Sequence, residues 1–210
     1  MNDTAIGGFT SFNRYFFAQT DKQGLVLDER FNHGGQAADY VIDVLRRPLM
    51  NYWAPRWGAI YRTPQGSILG PKVMVTNEYA GSGGDAMPWY FREGKLGTLV
   101  GTRTWGGLVG ISAVPTLMDG ASVTSPDFGF FSPSGEWDVE NHGVAPDVLV
   151  EMDPKLVAQG HDPQLERAVA IAMEKLQKSP MAEPKKPRYP NYQTVTQQRT
   201  GQGESVGGSQ

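Results

Sequence analysis

Lys72-Val73-Met74-Val75-Thr76, Asn77-Glu78-Tyr79-Ala80-Gly81-Ser82-Gly83-Gly84 and Asp85-Ala86-Met87-Pro88-Trp89-Tyr90-Phe91-Arg92-Glu93 follow one another without a gap, and their reading decides the fold. Val73, Met74 and Val75 form an unbroken apolar trio, which fits a strand covered on both faces. The stretch from Asn77 to Gly84 is too rich in glycine to extend the strand and reads as a loop. From Asp85 to about Glu93 the residues suit the start of a helix. Strand, glycine loop and helix together make half of an α/β unit.

The same order stands upstream. Phe9, Phe12, Phe16 and Phe17 recur at near-helical spacing and predict an amphipathic helix over Phe9–Thr20. Leu25-Val26-Leu27 reads as a buried strand ending near Phe31. The loop Asn32-His33-Gly34-Gly35 follows, and then a helix over Gln36–Arg47 with Tyr40, Val41, Val44 and Leu45 as its apolar stripe. Arg46 and Arg47 suit the negative end of that helix, and Pro48 stops it.

Between the two units lies an irregular stretch, Leu49 to Pro71, rich in Trp, Tyr, Pro and Gly. Downstream, Leu99-Val100 reads as a short strand. Gly106 to Gly143 is dominated by glycine and β-forming residues, with a turn at Asp119-Gly120, and Val148 to Glu151 reads as a last strand. The clearest helix is capped by Asp162, with Pro163 in its first turn and Leu165, Ala168, Val169, Ala172, Met173 and Leu176 along one face. After Ser179 the chain turns to Pro, Lys, Gln, Thr, Ser and Gly, which predicts a disordered tail over 180–210 and a folded domain over 1–179. The five tryptophans, Trp53, Trp57, Trp89, Trp105 and Trp137, read mainly as core or groove wall.

Composition narrows the function classes. The chain has 210 residues, a 39% hydrophobic fraction and a formal charge of -3, which argues against the basic surplus of a nucleic-acid binder. With no cysteine, disulfides, thiolate metal sites and thiol catalysis are excluded. No apolar run approaches the ~20 residues of a membrane-spanning helix, and the first residues, MNDTAIGG, are not a signal peptide. No metal-ligand spacing and no cofactor motif stands out: Gly81-Ser82-Gly83-Gly84 lacks the lysine of a phosphate-binding loop.

The strongest chemical candidate is Ser82. A serine between small residues, after a buried strand and before a helix, is presented on a tight turn. The amide of Gly83 would stand at the helix N-terminus, where unpaired N–H groups and the helix dipole favour an oxyanion. The Gly34-Gly35 loop occupies the equivalent place in the preceding unit, so parallel pairing would bring both loops to the carboxyl ends of their strands. The amide of Gly35 then becomes the second candidate donor. A general base would have to be His33, His142 or His161, with Ser82, His142 and Asp147 as the simplest triad. Glu140, by itself, reads as a solvated loop carboxylate.

In their order and spacing, four blocks resemble one known family. They are Leu25 to Gly35, Val75 to Asp85, Gly101-Thr102-Arg103-Thr104-Trp105-Gly106-Gly107, and Val139-Glu140-Asn141-His142-Gly143-Val144-Ala145-Pro146-Asp147. From about Ile6 to Lys178 the chain resembles the C-terminal catalytic domain of the tricorn-type peptidases, within the S41, or tail-specific protease, clan. The resemblance implies an α/β fold with a crotonase-like ββα core, joined by an extra β-rich segment and the C-terminal tail. It implies a serine-type peptidase that cleaves oligopeptides through an acyl-enzyme. Ser82 would be the nucleophile, Gly35 and Gly83 the oxyanion amides, and Glu140 the acid of a Ser-His-Ser-Glu tetrad. Trp53 falls where the family carries an acidic residue linked to basic specificity, which implies an apolar or broader substrate pocket here.

In that family the histidine and its serine neighbour lie upstream, before a PDZ-like module, and β-propellers gate entry to a hexamer. The resemblance therefore implies that this chain alone lacks its base and needs those upstream parts, with peptides as substrates and no metal or cofactor. It implies a cytoplasmic location, with an extracytoplasmic one left open because an upstream signal peptide would lie outside this chain. The alternative is a non-catalytic module for peptide binding or assembly. Acyl-CoA chemistry, which the same core fold also hosts, has no local feature in its favour.

Overall fold

The computed structural model describes residues 1–111 and 115–191. Four parallel strands form the central sheet: β1 (Leu25–Asp28), β4 (Lys72–Thr76), β5 (Thr98–Gly101) and β6 (Val148–Leu149), in the spatial order β1-β4-β5-β6. Two short strands between them, β2 (Asn51–Trp53) and β3 (Tyr61–Thr63), make a separate antiparallel pair. The helices are α1 (Ile6–Phe17), α2 (Ala38–Arg46), α3 (Gly83–Glu93), α4 (Pro154–Ala158) and α5 (Pro163–Lys178).

The strand β4 is buried along its whole length, and its residues alternate between two cores. Met74 faces a core built with Phe12, Phe16, Val41, Leu45, Met87 and Phe91 from α1, α2 and α3. Val73 and Val75 face the other way, onto Ala168, Ile171 and Ala172 of α5. A strand sandwiched between helical layers has no polar face, which is why its sequence is a continuous apolar run. Leu99 and Val100 of β5 divide between the same two cores. Burial of a side chain such as Phe91, fully enclosed here, contributes about 1.5–3 kcal/mol.

The expected α/β architecture is present, with three differences in its secondary-structure elements. The irregular stretch after α2 contains the β2–β3 pair. The helix α4, capped by Asp153 through the amide of Lys155 at 2.8 Å, was not foreseen. On α5 the inward edge is Gln164, Ala168, Ile171 and Ala172, whereas Leu165, Val169 and Met173 of the expected stripe are exposed. Small alanines let this helix approach the sheet, so the contact edge is set by size more than by hydrophobicity.

The tryptophans also depart from expectation. Trp53, Trp57, Trp105 and Trp137 are exposed, and only Trp89 packs against the core, its indole N–H donating to Asp138 at 2.8 Å. The turn at Asp119-Gly120 is present, closed by a bridge between Thr116 and Ser122. Residues 180–191 carry neither helix nor strand, and the rest of the expected tail, 192–210, lies outside the described residues. Among the described residues no helix is long and apolar enough to cross a membrane.

Candidate active site

The carboxyl ends of β1 and β4 each lead into a glycine loop, and the parallel register Asp28↔Val75 sets those loops side by side. Ser82 lies at the end of the second loop and caps α3. Its backbone, at φ 55 and ψ -116, occupies a region that a residue with a side chain rarely enters, at a cost of about 1–3 kcal/mol. Every backbone polar group of Ser82 is engaged. The amide donates to the carbonyl of Gly107 at 2.9 Å and to Asp85 Oδ2 at 3.0 Å. The carbonyl accepts from the amides of Asp85 at 2.9 Å and Ala86 at 3.0 Å.

The first loop is held by Asn32, which is fully buried. Its Oδ1 accepts from the amide of Gly34 at 3.0 Å, its Nδ2 donates to Glu29 Oε2 at 3.2 Å, and its carbonyl accepts from the amide of Gly81 at 2.9 Å. One residue thus ties both loops together, its side chain holding the first and its backbone carbonyl the second. Gly34, at φ 101, lies so close that a Cβ there would stand 2.6 Å from Ser82 Cβ and 2.9 Å from its Oγ. A Cβ on Gly83 would meet Thr4 Oγ1 at 2.1 Å, the carbonyl of Gly35 at 2.4 Å and its nitrogen at 3.0 Å. Gly34 is needed because the Ser82 side chain stands where its own would go, and Gly83 because the Thr4 hydroxyl and the Gly35 backbone do.

Ser82, Gly83, Gly34 and Gly35 are therefore one cluster, as the pairing of the loops predicts. The amides of Gly35 and Gly83 donate to no acceptor among the described residues. Ser82, Gly83 and Gly35 open into a cleft of about 510 Å³, walled by Tyr90, Leu108, Phe128 and Phe130. Burial, and after it the nearby charge of Asp39, push the Tyr90 hydroxyl above its ordinary pKa.

Two carboxylates fasten the wall of that cleft. Asp85 accepts from the amides of Gly106 at 2.8 Å and Gly107 at 3.0 Å, and from the hydroxyl of Thr104. Glu140 Oε2 accepts from the next two amides, Leu108 at 2.6 Å and Val109 at 2.7 Å. Four consecutive N–H groups thus end on two acidic side chains. Glu140 is accordingly not the solvated charge that its loop position suggests. Burial pushes the Asp85 carboxyl above its ordinary pKa, while its hydrogen bonds from Thr104, Gly106, Gly107 and Ser82 pull the other way. Three backbone amides and a hydroxyl converge on it, a set that the acceptor-only ionised form matches.

The histidines are not gathered at Ser82. The ring of His142 contacts the carbonyl of Glu140 at 3.1 Å and Asp138 Oδ1 at 3.1 Å, and that of His161 contacts Glu166 at 2.9 Å. His33 is exposed, and its ring has no hydrogen bond among the described residues. Asp147 accepts from the amide of Leu99 at 2.8 Å, so the simple Ser82, His142, Asp147 triad is not assembled. Trp53 lies on β2, bonded to Thr63 Oγ1 at 2.8 Å, outside the residues that line the cleft.

Asp85 is the site residue that reading the sequence missed. Its signal was present: serine followed three residues later by an acid is a helix-capping pattern. The buried carboxyl of Glu29 was also not foreseen. Burial pushes it well above its ordinary pKa against the opposing pull of Asn32, and its Oε1 has no partner among the described residues.

A parallel sheet sandwiched by helices thus carries a strained serine between two glycine loops at its carboxyl rim, in an α/β domain. Residues 2–150 match the model of peptidase family S41, and the chain belongs to that family. It is 41% identical over 184 residues to tricorn protease of Thermoplasma volcanium, a match covering 88% of this chain and 18% of the relative. With tricorn protease homolog 1 of Streptomyces coelicolor it shares 37% identity over 182 residues, covering 87% of this chain and 17% of the relative. A crystal structure of tricorn protease superposes with a TM-score of 0.80 at 40% identity, covering 83% of this chain and 17% of that one. The chain thus spans about a fifth or less of the length of these relatives.

Proposed function

We propose that this chain is the nucleophile-bearing domain of a serine peptidase, cleaving peptides through an acyl-enzyme on Ser82. The observation that carries the reading is the meeting of the Gly34-Gly35 loop with the strained turn at Ser82. In the proposed reaction Ser82 Oγ attacks the scissile carbonyl carbon and gives its proton to a base. The carbonyl oxygen becomes an oxyanion received by the amides of Gly83 and Gly35. The proton passes to the leaving amine as the peptide bond breaks, and water then releases the acyl group.

The base is a histidine from polypeptide outside this chain. His142 and His161 are engaged elsewhere, and His33 is on the exposed side of its loop. Glu140 keeps Oε1 for the partner that orients that histidine, while Oε2 serves the cleft wall. By likeness to the tricorn relatives, the domain works within a larger multidomain assembly, with oligopeptides as substrates. A second reading, peptide capture without cleavage, draws on the same cleft and on the lack of a histidine bonded at Ser82.

The test is labelling by a fluorophosphonate probe. This chain alone should label negligibly, because loss of the base costs about 10⁴- to 10⁶-fold. Adding the histidine-bearing segment of a full-length relative should give labelling that Ser82→Ala abolishes. Rapid labelling of the chain alone would mean that one of its own histidines is the base. Peptide turnover that survives Ser82→Ala in the completed assembly would remove Ser82 from the reaction.

A further inference from the structure

We infer that Asp85 is a positioning residue for the nucleophile: its carboxylate sets the backbone of Ser82 and fixes the cleft wall to it. The inference rests on the reading of Ser82 as the attacking group. Asp85 lies one turn into α3 and is fully buried. One oxygen, Oδ2, takes the amides of Ser82 and Gly107, and the other, Oδ1, takes the amide of Gly106 and the hydroxyl of Thr104.

What this does to Ser82 follows from the dihedral angles. The direction of the Ser82 N–H is governed by φ, and the plane that carries the Gly83 N–H is governed by ψ. A residue at φ 55 and ψ -116 relaxes toward an ordinary region unless both ends are held. The amide end is held by Asp85 Oδ2 and the carbonyl of Gly107. The carbonyl end is held by the amides of Asp85 and Ala86. Asp85 thus acts on both ends at once, and with them on the attacking oxygen and the proposed oxyanion donor.

Thr104 makes the second half of the device. Its Oγ1 accepts from the amide of Val144 at 2.8 Å and donates its one proton to Asp85 Oδ1. With the three backbone amides, the ionised Asp85 carboxylate accepts four times. Asparagine in its place keeps the shape but turns an N–H₂ toward two donors, which no rotation of the amide avoids. Thr104→Ser keeps the hydroxyl, and Thr104→Val removes it without touching α3.

The experiment uses this chain completed by the histidine-bearing segment of a relative. Asp85→Asn is expected to lower kcat and the fluorophosphonate labelling rate about 100-fold, the scale of a 1 Å misplacement, with KM changed less than about 3-fold. Thr104→Val should lower both rates about 10-fold, and Thr104→Ser should keep them within about 2-fold of wild type. In this chain alone, hydrogen exchange at the Ser82 and Gly107 amides should quicken at least about 10-fold in Asp85→Asn, while β4 keeps its protection.

Wild-type labelling by Asp85→Asn would overturn the inference. So would Thr104→Val and Thr104→Ser behaving alike, or KM rising in step with the fall in kcat. If the wild type labels in no context, it is the reading of Ser82 as nucleophile that fails. The exchange measurement still decides the Asp85 contacts, because unchanged protection at Ser82 would refute them.

Discussion

Gly34→Ala is the most direct test of the loop junction, because a single added methyl group would enter it. The new Cβ would stand 2.6 Å from Ser82 Cβ, whereas carbon atoms rest at about 3.5–4.0 Å. The overlap of about 1 Å has to be relieved by moving one of the two loops, both of which are tied to Asn32. Overpacking of this kind costs about 1–3 kcal/mol. Gly34 is also at φ 101, and placing a side chain there adds about 1–3 kcal/mol. The expected loss is therefore about 2–6 kcal/mol, large against a total of about 5–15 kcal/mol for a domain.

Urea unfolding of this chain would measure the loss as a lower midpoint at unchanged slope. Gly58 provides the control. It has nearly the same φ, 102, with nothing within 4 Å of the added carbon, so Gly58→Ala reports the cost of a side chain at that φ without a clash. The difference between the two variants isolates the clash with Ser82. A Gly34→Ala midpoint no lower than that of Gly58→Ala would show that the loops are not in contact as described.

Three further outcomes are expected. Glu29→Gln should flatten the pH dependence of stability. Burial pushes the Glu29 carboxyl well above its ordinary value of 4.5, so its contribution is full below about 4.5 and fades as pH rises through the folded value, at most about 1.4 kcal/mol per pH unit. Thermal melts of both proteins across that window, if parallel, would show that Glu29 does not titrate there. Arg30→Ala removes the bonds to Asp28 and Asp162 that tie β1 to the cap of α5. The carboxylates of Asp28 and Asp162 are 40% and 32% exposed, so the loss should be only about 1–3 kcal/mol, read from the urea midpoint. Glu140→Ala releases the amides of Leu108 and Val109 and should cost about 1–3 kcal/mol, with faster hydrogen exchange confined to the cleft wall. Unchanged exchange there would deny Glu140 that bracing role.

The central strands were legible because burial on two sides leaves a continuous apolar run, as in Lys72–Thr76, which no other arrangement explains as simply. The last helix was legible because Asp162 and Pro163 mark its start chemically. The same Asp-Pro pair precedes α4, but five residues offer too little periodicity to read. The β2–β3 pair escaped because β2 is exposed throughout and none of the six residues is fully buried, so there is no buried alternation to see. At the site, Ser82, Gly34, Gly35 and Gly83 were readable because turn chemistry is local. Asp85 left a local capping sign beside Ser82 but no sign of its bonds to Thr104, Gly106 and Gly107. Asn32 and Glu29 bond each other three residues apart in a pairing that no motif announces. Glu140 has no local sign of its partners, which lie about thirty residues away in the sequence.

The opening residues carry a practical consequence. The amide of Thr4 bonds the carbonyl of Gly34 at 2.9 Å, the carbonyl of Thr4 receives the amide of Ala37 at 2.8 Å, and the carbonyl of Asn2 receives that of His33 at 3.1 Å. Residues 2–4 are thus a shim wedged under the glycine hinge that meets the serine. Trimming them, or crowding them with a fused tag, would tilt that hinge before any catalytic group had been changed. A purification handle is better attached at the far terminus, beyond α5.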